Sequence, residues 1–259
     1  MRDFTYPIII PTAKVWFRLM DFRFQMQGHE VIPKKGGALL AVNHISYVDF
    51  VLSGFAAERQ GRYTRYMAKR ETFDHPVVGP FMRSFNHIKV DRADGLASAE
   101  EAVRYLKAGE IVGIFPEATI SRSLEIKELK TGAVRIAAEA GVPLIPVILW
   151  GTQRIMTKDH PKDFSRHKTI AINTGEPMYP TAEDAVAETE ELRTRMRDLL
   201  DFTIKNYPAE EQPPGSWWLP ASYGGSAPTP EEAKELDREE LRLRAEKRRQ
   251  KAAAKGGKG

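Results

Sequence analysis

The chain has no cysteine among its 259 residues. That excludes a disulfide scaffold, a cysteine-ligated zinc site and a thiol nucleophile, and it fits a reducing compartment. Long hydrophobic runs are missing too. The N-terminal segment MRDFTYPIIIPTAKVWFRLMDFRF has Pro7–Pro11 as its longest apolar stretch, and Lys14 and Arg18 interrupt the residues after it. A spanning helix needs ~20 mostly apolar residues, so this segment is not expected to span. It also lacks an apolar stretch ending in a small-residue cleavage site, so it is a poor signal peptide. There is no GxGxxG and no P-loop, which leaves a nucleotide-cofactor enzyme unsupported. His29, His75, His87, His160 and His167 lack ligand-like spacing with each other or with acidic partners, so no metal site is expected.

A net positive charge is lacking outside one tail. The net charge is +4, but residues 241–259 hold eight Lys/Arg against one Glu, a net of +7, so the other 240 residues carry −3. The body is therefore not a basic nucleic-acid-binding domain. No nucleic-acid partner is expected, and an RNA-binding reading rests on the tail alone.

What is present suits one domain with appendages: 42% hydrophobic and 29% charged residues. Apolar runs at Ala38–Val42, Ile111–Phe115 and Pro143–Trp150 read as buried strands. Phe22–Gln27, Tyr66–Lys69, His87–Val90 and Thr169–Asn173 read as further strands. Helical spacing falls at Phe50–Glu58, Val77–Phe85, Ser98–Lys107 and Leu129–Glu139, and Thr181 can cap a helix running to about Asn206. Apolar strands alternating with helices predict an α/β domain with a mixed, largely parallel sheet flanked by helices. From Thr12 on, Val15, Trp16, Leu19 and Met20 can share one helix face, with Lys14, Arg18 and Asp21 mostly on another. Such a helix either lies in a membrane interface or packs on its own domain. After Tyr207 the composition turns to Pro, Gly and Ser, which reads as a linker. In it Trp217 and Trp218 either meet a membrane interface or fold back onto the domain. A charged helical stretch starts at Pro230, then comes AAAKGGKG, read as disordered.

Chemistry concentrates in a few places. Strand Ala38–Val42 ends in Asn43-His44, and Asp49 stands five residues after His44 in NHISYVD. If a helix begins here, the Asp49 carboxylate can reach one imidazole nitrogen and fix the tautomer, leaving the other to take a proton from a substrate hydroxyl. FPEATIS, Phe115–Ser121, places Glu117 just past a buried strand, where α/β folds build their sites. Arg122, Lys127 and Lys130 flank it, and Lys130-Thr131-Gly132 opens a helix whose N-terminus favours an anion. HIKVDR ends in Asp91-Arg92, where an Arg can grip a phosphate or pair with a neighbouring Asp. VPLIPV, Val142–Val147, shapes a wall and carries no chemistry. Ser46 reads as a helix cap.

In this order, NHxSxxD, VDR, FPExTxS and VPLIPV resemble the glycerolipid acyltransferase family, the PlsC-like 1-acyl-sn-glycerol-3-phosphate acyltransferases, most closely the actinobacterial type. The motifs run from Asn43 to Val147. The resemblance implies transfer of a fatty acyl group from acyl-CoA or acyl carrier protein to the free hydroxyl of a lysophosphatidate, giving phosphatidic acid. No cofactor is implied beyond that co-substrate, and no metal. It implies His44 as general base with Asp49 as its partner. It implies substrate binding by Asn43, Lys69, Arg92, Glu117, Thr119, Ser121 and Lys130. The family's third motif usually reads FPEGTRS; here Ala118 replaces Gly and Ile120 replaces Arg. The missing Arg is commonly a phosphate ligand, and Arg122 or Lys127 is the expected substitute. Glycerol 3-phosphate or a mannosylated inositol lipid stays open as acceptor, as does a non-catalytic binder of anionic membranes on the same fold.

The expected organisation is an interfacial helix and first strand at 1–35, the acyltransferase domain at 36–208, and a Pro/Gly linker with a basic, partly disordered tail at 209–259. The partners implied are an anionic lipid surface, lysophosphatidic acid and the acyl thioester. The place implied is the cytoplasmic face of the cell membrane, as a peripheral or monotopic protein.

Overall fold

The computed structural model describes residues 5–76, 78–91 and 95–256, without the side chains of 247, 248 and 251–256. Seven strands form one sheet: β1 (Arg23–Gln27), β2 (Ala38–Val42), β3 (Thr64–Lys69), β4 (Ile88–Val90), β5 (Ile111–Ile114), β6 (Leu144–Trp150) and β7 (Thr169–Thr174). Their order is β1-β7-β6-β2-β5-β3-β4. Every neighbouring pair is parallel except β6 with β7. Five strands therefore run one way, and β7 and β1 run back.

Burial on both faces explains the unbroken apolar runs. All five side chains of β2 and all seven of β6 are buried. Because side chains alternate along a strand, Leu39 and Ala41 enter one core and Ala38, Leu40 and Val42 the other. The first core lies under α5 (Gly95–Lys107), α6 (Gly132–Ala140) and α7 (Ala185–Lys205); the second under α1 (Tyr6–Leu19) and α2 (Asp49–Glu58). Two short helices, α3 (Arg70–Phe73) and α4 (Val78–Ser84), join β3 to β4. Truncating Leu39 or Leu40, both 0% exposed, to Ala would cost about 2–5 kcal/mol.

Three local expectations shift. The first helix starts at Tyr6 rather than Thr12, because Pro7 fits a first turn and Pro11 removes only one internal rung. It packs inward through Phe17 against Phe22, Phe24 and Phe55, while Ile8, Val15, Trp16 and Leu19 stay exposed. The long helix is capped by Asp184, whose carboxylate accepts from the Ala187 N–H; Glu188 instead reaches back to accept from Thr181 and Ala182. Residues 209–229 lie against the domain. Leu219 and Ala227 are buried, Trp218 donates to the Glu211 carbonyl at 2.9 Å, and Trp217 stacks on His160 at 3.7 Å. α8 (Pro230–Gly256) comes next, anchored by buried Ala233. The expected disordered end falls partly within α8 and partly at 257–259, outside the described residues. Among the described residues, no helix is long and apolar enough to cross a membrane.

Candidate active site

The constellation sits where β2, β5 and β6 end together. Past Val42 the Asn43 side chain is fully buried and bridges to β6, accepting from Leu149 N–H at 2.7 Å and donating to the Leu149 carbonyl at 3.1 Å. It continues the sheet with a side chain, and so holds the loop rather than facing a substrate. Residues 44–48 then curl into the first turn of α2. This curl aims the Ile45 and Ser46 amides at one oxygen of Asp49, each at 2.7 Å. The same oxygen lies 3.0 Å from His44 Nδ1, and the other accepts the Thr152 hydroxyl at 2.7 Å. Asp49 is 0% exposed and lies at a helix N-terminus, where the peptide dipoles favour an anion.

A carboxylate with this set of donors is an acceptor at Nδ1, so the proton resides there and Nε2 presents its lone pair. The ring is pinned by stacking on Phe115 at 4.3 Å, and Phe115 stacks in turn on Tyr66 at 5.9 Å. About a fifth of the His44 side chain remains exposed.

Glu117 ties the third motif to the first. One oxygen accepts the His44 N–H at 2.9 Å and the other the Lys127 N–H at 3.2 Å, while Ser121 N–H donates to the His44 carbonyl at 2.7 Å. Glu117 is 5% exposed. Burial pushes its pKa up to about 7, against the pull of those two amide hydrogen bonds. Ala118 turns the loop at φ +62°, a left-handed conformation that glycine adopts without cost.

The model of the family described as Acyltransferase matches residues 23–150. A Bacillus subtilis 1-acyl-sn-glycerol-3-phosphate acyltransferase is 32% identical over 178 residues, covering 66% of this chain and 84% of that protein. A chloroplastic enzyme of the same description from Brassica napus is 26% identical over 73% of this chain and 55% of its own length. The crystal structure of the Thermotoga maritima lysophosphatidate acyltransferase PlsC matches the fold with a TM-score of 0.58 at 23% identity, over 75% of this chain and 79% of that one.

The chain belongs to the glycerolipid acyltransferase family.

Within this acyltransferase, the structure brings His44, Asp49, Asn43, Glu117, Thr119 and Ser121 together. Ser121 is fully buried and bonds the Glu125 carbonyl and Ser123, so it builds the loop. Thr119 accepts the Lys127 ammonium at 2.5 Å. Ile120 is buried at 4%, so this motif position feeds the core and not a ligand. Arg122 is not presented to the site as a phosphate ligand: Asp159, Asp237 and Glu240 engage all of its guanidinium. Lys69 ends β3 beside Val90 in the sheet register, and Lys130 is exposed at the start of α6. Arg92 lies outside the described residues.

His87 is a structural residue here. Its Nδ1 accepts the Tyr66 N–H, and burial pushes its pKa down to about 3. Ser46 stands two residues before Val48, the cap position of α2; its hydroxyl accepts the Val48 N–H at 3.2 Å and donates to the Met156 carbonyl at 2.6 Å. Sequence reading missed Thr152, the fourth partner of Asp49, and Phe115 as the platform for the imidazole. Thr152 lies 103 residues from Asp49, beyond the reach of any local spacing rule. A separate groove of about 440 Å³ between α1, β1 and α2, floored by Phe17, Phe22, Phe24 and Phe55, shares none of these residues.

Proposed function

We propose that this acyltransferase moves a fatty acyl group from an acyl thioester, acyl-CoA or acyl carrier protein, to the free hydroxyl of 1-acyl-sn-glycerol 3-phosphate, giving phosphatidic acid. The observation that carries this reading is the His44–Asp49–Thr152 relay locked to Glu117. It fits a general base for a hydroxyl nucleophile supplied by the substrate. The relatives' names supply the acceptor.

In this reading His44 Nε2 takes the hydroxyl proton as the oxygen attacks the thioester carbonyl. Asp49 stabilises the imidazolium that forms. The thiolate leaves readily, since an ordinary thiol has a pKa of ~8.5, and no acyl-enzyme or metal enters. Backbone N–H groups hold the oxyanion. Glu117 sets the His44 loop with both of its oxygens. Any contact it makes with acceptor glycerol uses the remaining lone pairs. Lys69, Arg92 and Lys130 are the cations that the family resemblance carries over for the acceptor phosphate. The exposed Ile8, Val15, Trp16 and Leu19 of α1 support an interfacial helix and a peripheral place on a membrane surface, where the lysolipid resides; the cytoplasmic face is the one we assign to it, since acyl-CoA and acyl carrier protein are water-soluble donors.

The test is product analysis by mass spectrometry. Palmitoyl-CoA is supplied with 1-acyl-glycerol-3-phosphate, glycerol 3-phosphate or a mannosylated inositol lipid in separate reactions. Phosphatidic acid from the first alone is expected. Acylation of either other acceptor in preference would replace this reading.

A further inference from the structure

Among the described side chains of α8, those of its first turns touch the domain. Ala233 is buried, Asp237 and Glu240 are half-buried, and every described side chain from Leu241 on is exposed. The two half-buried carboxylates land on a cluster of cations. Glu240 lies 2.9 Å from Arg122 and 3.0 Å from Lys158. Asp237 pairs with Arg122, with Lys158 at 3.3 Å and with Lys127 at 3.5 Å.

These cations are built into the catalytic loops. Arg122 adjoins Ser121, whose N–H holds the His44 carbonyl. Lys127 donates its own N–H to Glu117. Lys158 adjoins Thr157, whose hydroxyl holds the Ile45 carbonyl at 2.7 Å. Their side chains are only 7%, 21% and 12% exposed. A small cavity lined by Arg122, Thr157, Lys158, His160, Trp217 and Leu236 opens beside them under α8.

Charge decides what this cluster suits. With α8 in place, these three cations face Asp159, Asp237 and Glu240, which match them in charge, and Glu240 also pairs with Arg244 of its own helix. Without the two α8 carboxylates the cluster keeps a net charge of +2. A phosphate monoester carries about −1.5 to −2 at neutral pH and presents three acceptor oxygens. A carboxylate pair on one helix supplies similar charge and similar acceptors. The arginine offers a fork suited to either. The set is distinct from the third-motif position at Ile120, which is buried in the core.

We propose that Arg122, Lys127 and Lys158 form a phosphate-monoester site on the loops that hold His44 and Ile45, and that Asp237 and Glu240 of α8 occupy it as a displaceable plug. The link to catalysis rests on the acceptor reading above. The site itself does not. Two co-substrates carry the required group: the lysophosphatidate headgroup and the 3′-phosphate of coenzyme A.

The experiment uses the full chain and its Asp237→Ala/Glu240→Ala variant, with thermal melting to confirm that both are folded. Inorganic phosphate is titrated by calorimetry. The variant should bind phosphate at least tenfold more tightly than wild type, and adding Lys158→Gln should reverse most of that gain. The single variants Asp237→Ala and Glu240→Ala, should the pair unfold, should each give a smaller gain. Displacement of bound phosphate by lysophosphatidate assigns the site to the acceptor. Displacement by coenzyme A but not by dephospho-coenzyme A assigns it to the donor. A folded variant that binds phosphate no better than wild type overturns the proposal, whether or not acyl transfer is observed. Phosphate binding without any acyl transfer to lysophosphatidate would keep the site and overturn the acceptor reading instead.

Discussion

Replacing Asp49 with Asn removes one charge and almost no volume, and the site dictates how the amide must sit. The oxygen facing His44 Nδ1 also receives two backbone N–H groups at 2.7 Å. An NH2 group there would oppose three donors, so the amide oxygen takes that place. The NH2 then faces Thr152, whose hydroxyl can turn and accept. The tautomer of His44 is therefore kept, and what is lost is the charge opposite the imidazolium. At 3.0 Å and an effective dielectric constant of ~20, that attraction is at most about 5 kcal/mol. The surviving amide hydrogen bond offsets part of it, leaving about 3 kcal/mol, a fall in kcat of roughly 10²-fold. Stability drops by about 2 kcal/mol, since hydrogen bonds to a charged group contribute about 1 kcal/mol more than neutral ones. For a chain of this size the Tm then falls by roughly 4–8 °C. Thiol release under saturating substrates and thermal melting read the two effects separately. A folded Asp49→Asn protein with wild-type kcat would refute the argument that this carboxylate works through the imidazole.

The same geometry sets three further outcomes. Ala118→Gly should raise stability by about 0.5–1 kcal/mol, because relief of the left-handed strain of ~1–2 kcal/mol exceeds the added chain entropy; a lower Tm would contradict the strain. Gly113→Ala should destabilise by about 1–3 kcal/mol and lower kcat, since its Cβ would meet the Tyr66 ring at 2.4 Å and shift the stack under Phe115 and His44; unchanged melting and turnover would show that the ring gives way freely. The raised Glu117 pKa makes the folded chain hold a proton that the unfolded chain releases above pH 4.5. Its contribution is therefore fully present below pH 4.5 and lost as pH rises to about 7, by up to about 3 kcal/mol. Chemical denaturation of wild type and Glu117→Gln across that range should show the slope in the first and not the second.

Much of the site was legible because its decisive contacts are local. His44 and Asp49 are five residues apart on a strand-to-helix turn, so a helix starting there brings them together, although the spacing by itself also fits a capping Asp beside an incidental His. Glu117 stood out because a carboxylate just past a buried strand has no packing reason to be there. The sheet was legible because two-sided burial writes continuous apolar runs into β2, β5 and β6. The hidden part depends on distant partners. Thr152 reaches Asp49 only after β6 is laid beside β2. From its own loop Arg122 reads as a phosphate ligand, and nothing local shows that α8, over a hundred residues later, lays Asp237 and Glu240 on it. The Pro- and Gly-rich stretch after Tyr207 has the composition of a linker, yet Leu219 and Ala227 hold it down by burial that composition does not reveal.

The central claim is that His44 activates an acceptor hydroxyl. Thiol release from palmitoyl-CoA, with and without 1-acyl-glycerol-3-phosphate, on wild type and His44→Ala in parallel tests it most directly. Release that requires the lysolipid and falls by about 10²–10⁴-fold in His44→Ala, with an unchanged circular dichroism spectrum, is the predicted result. A folded His44→Ala protein that keeps most of its lysolipid-dependent release would contradict the account.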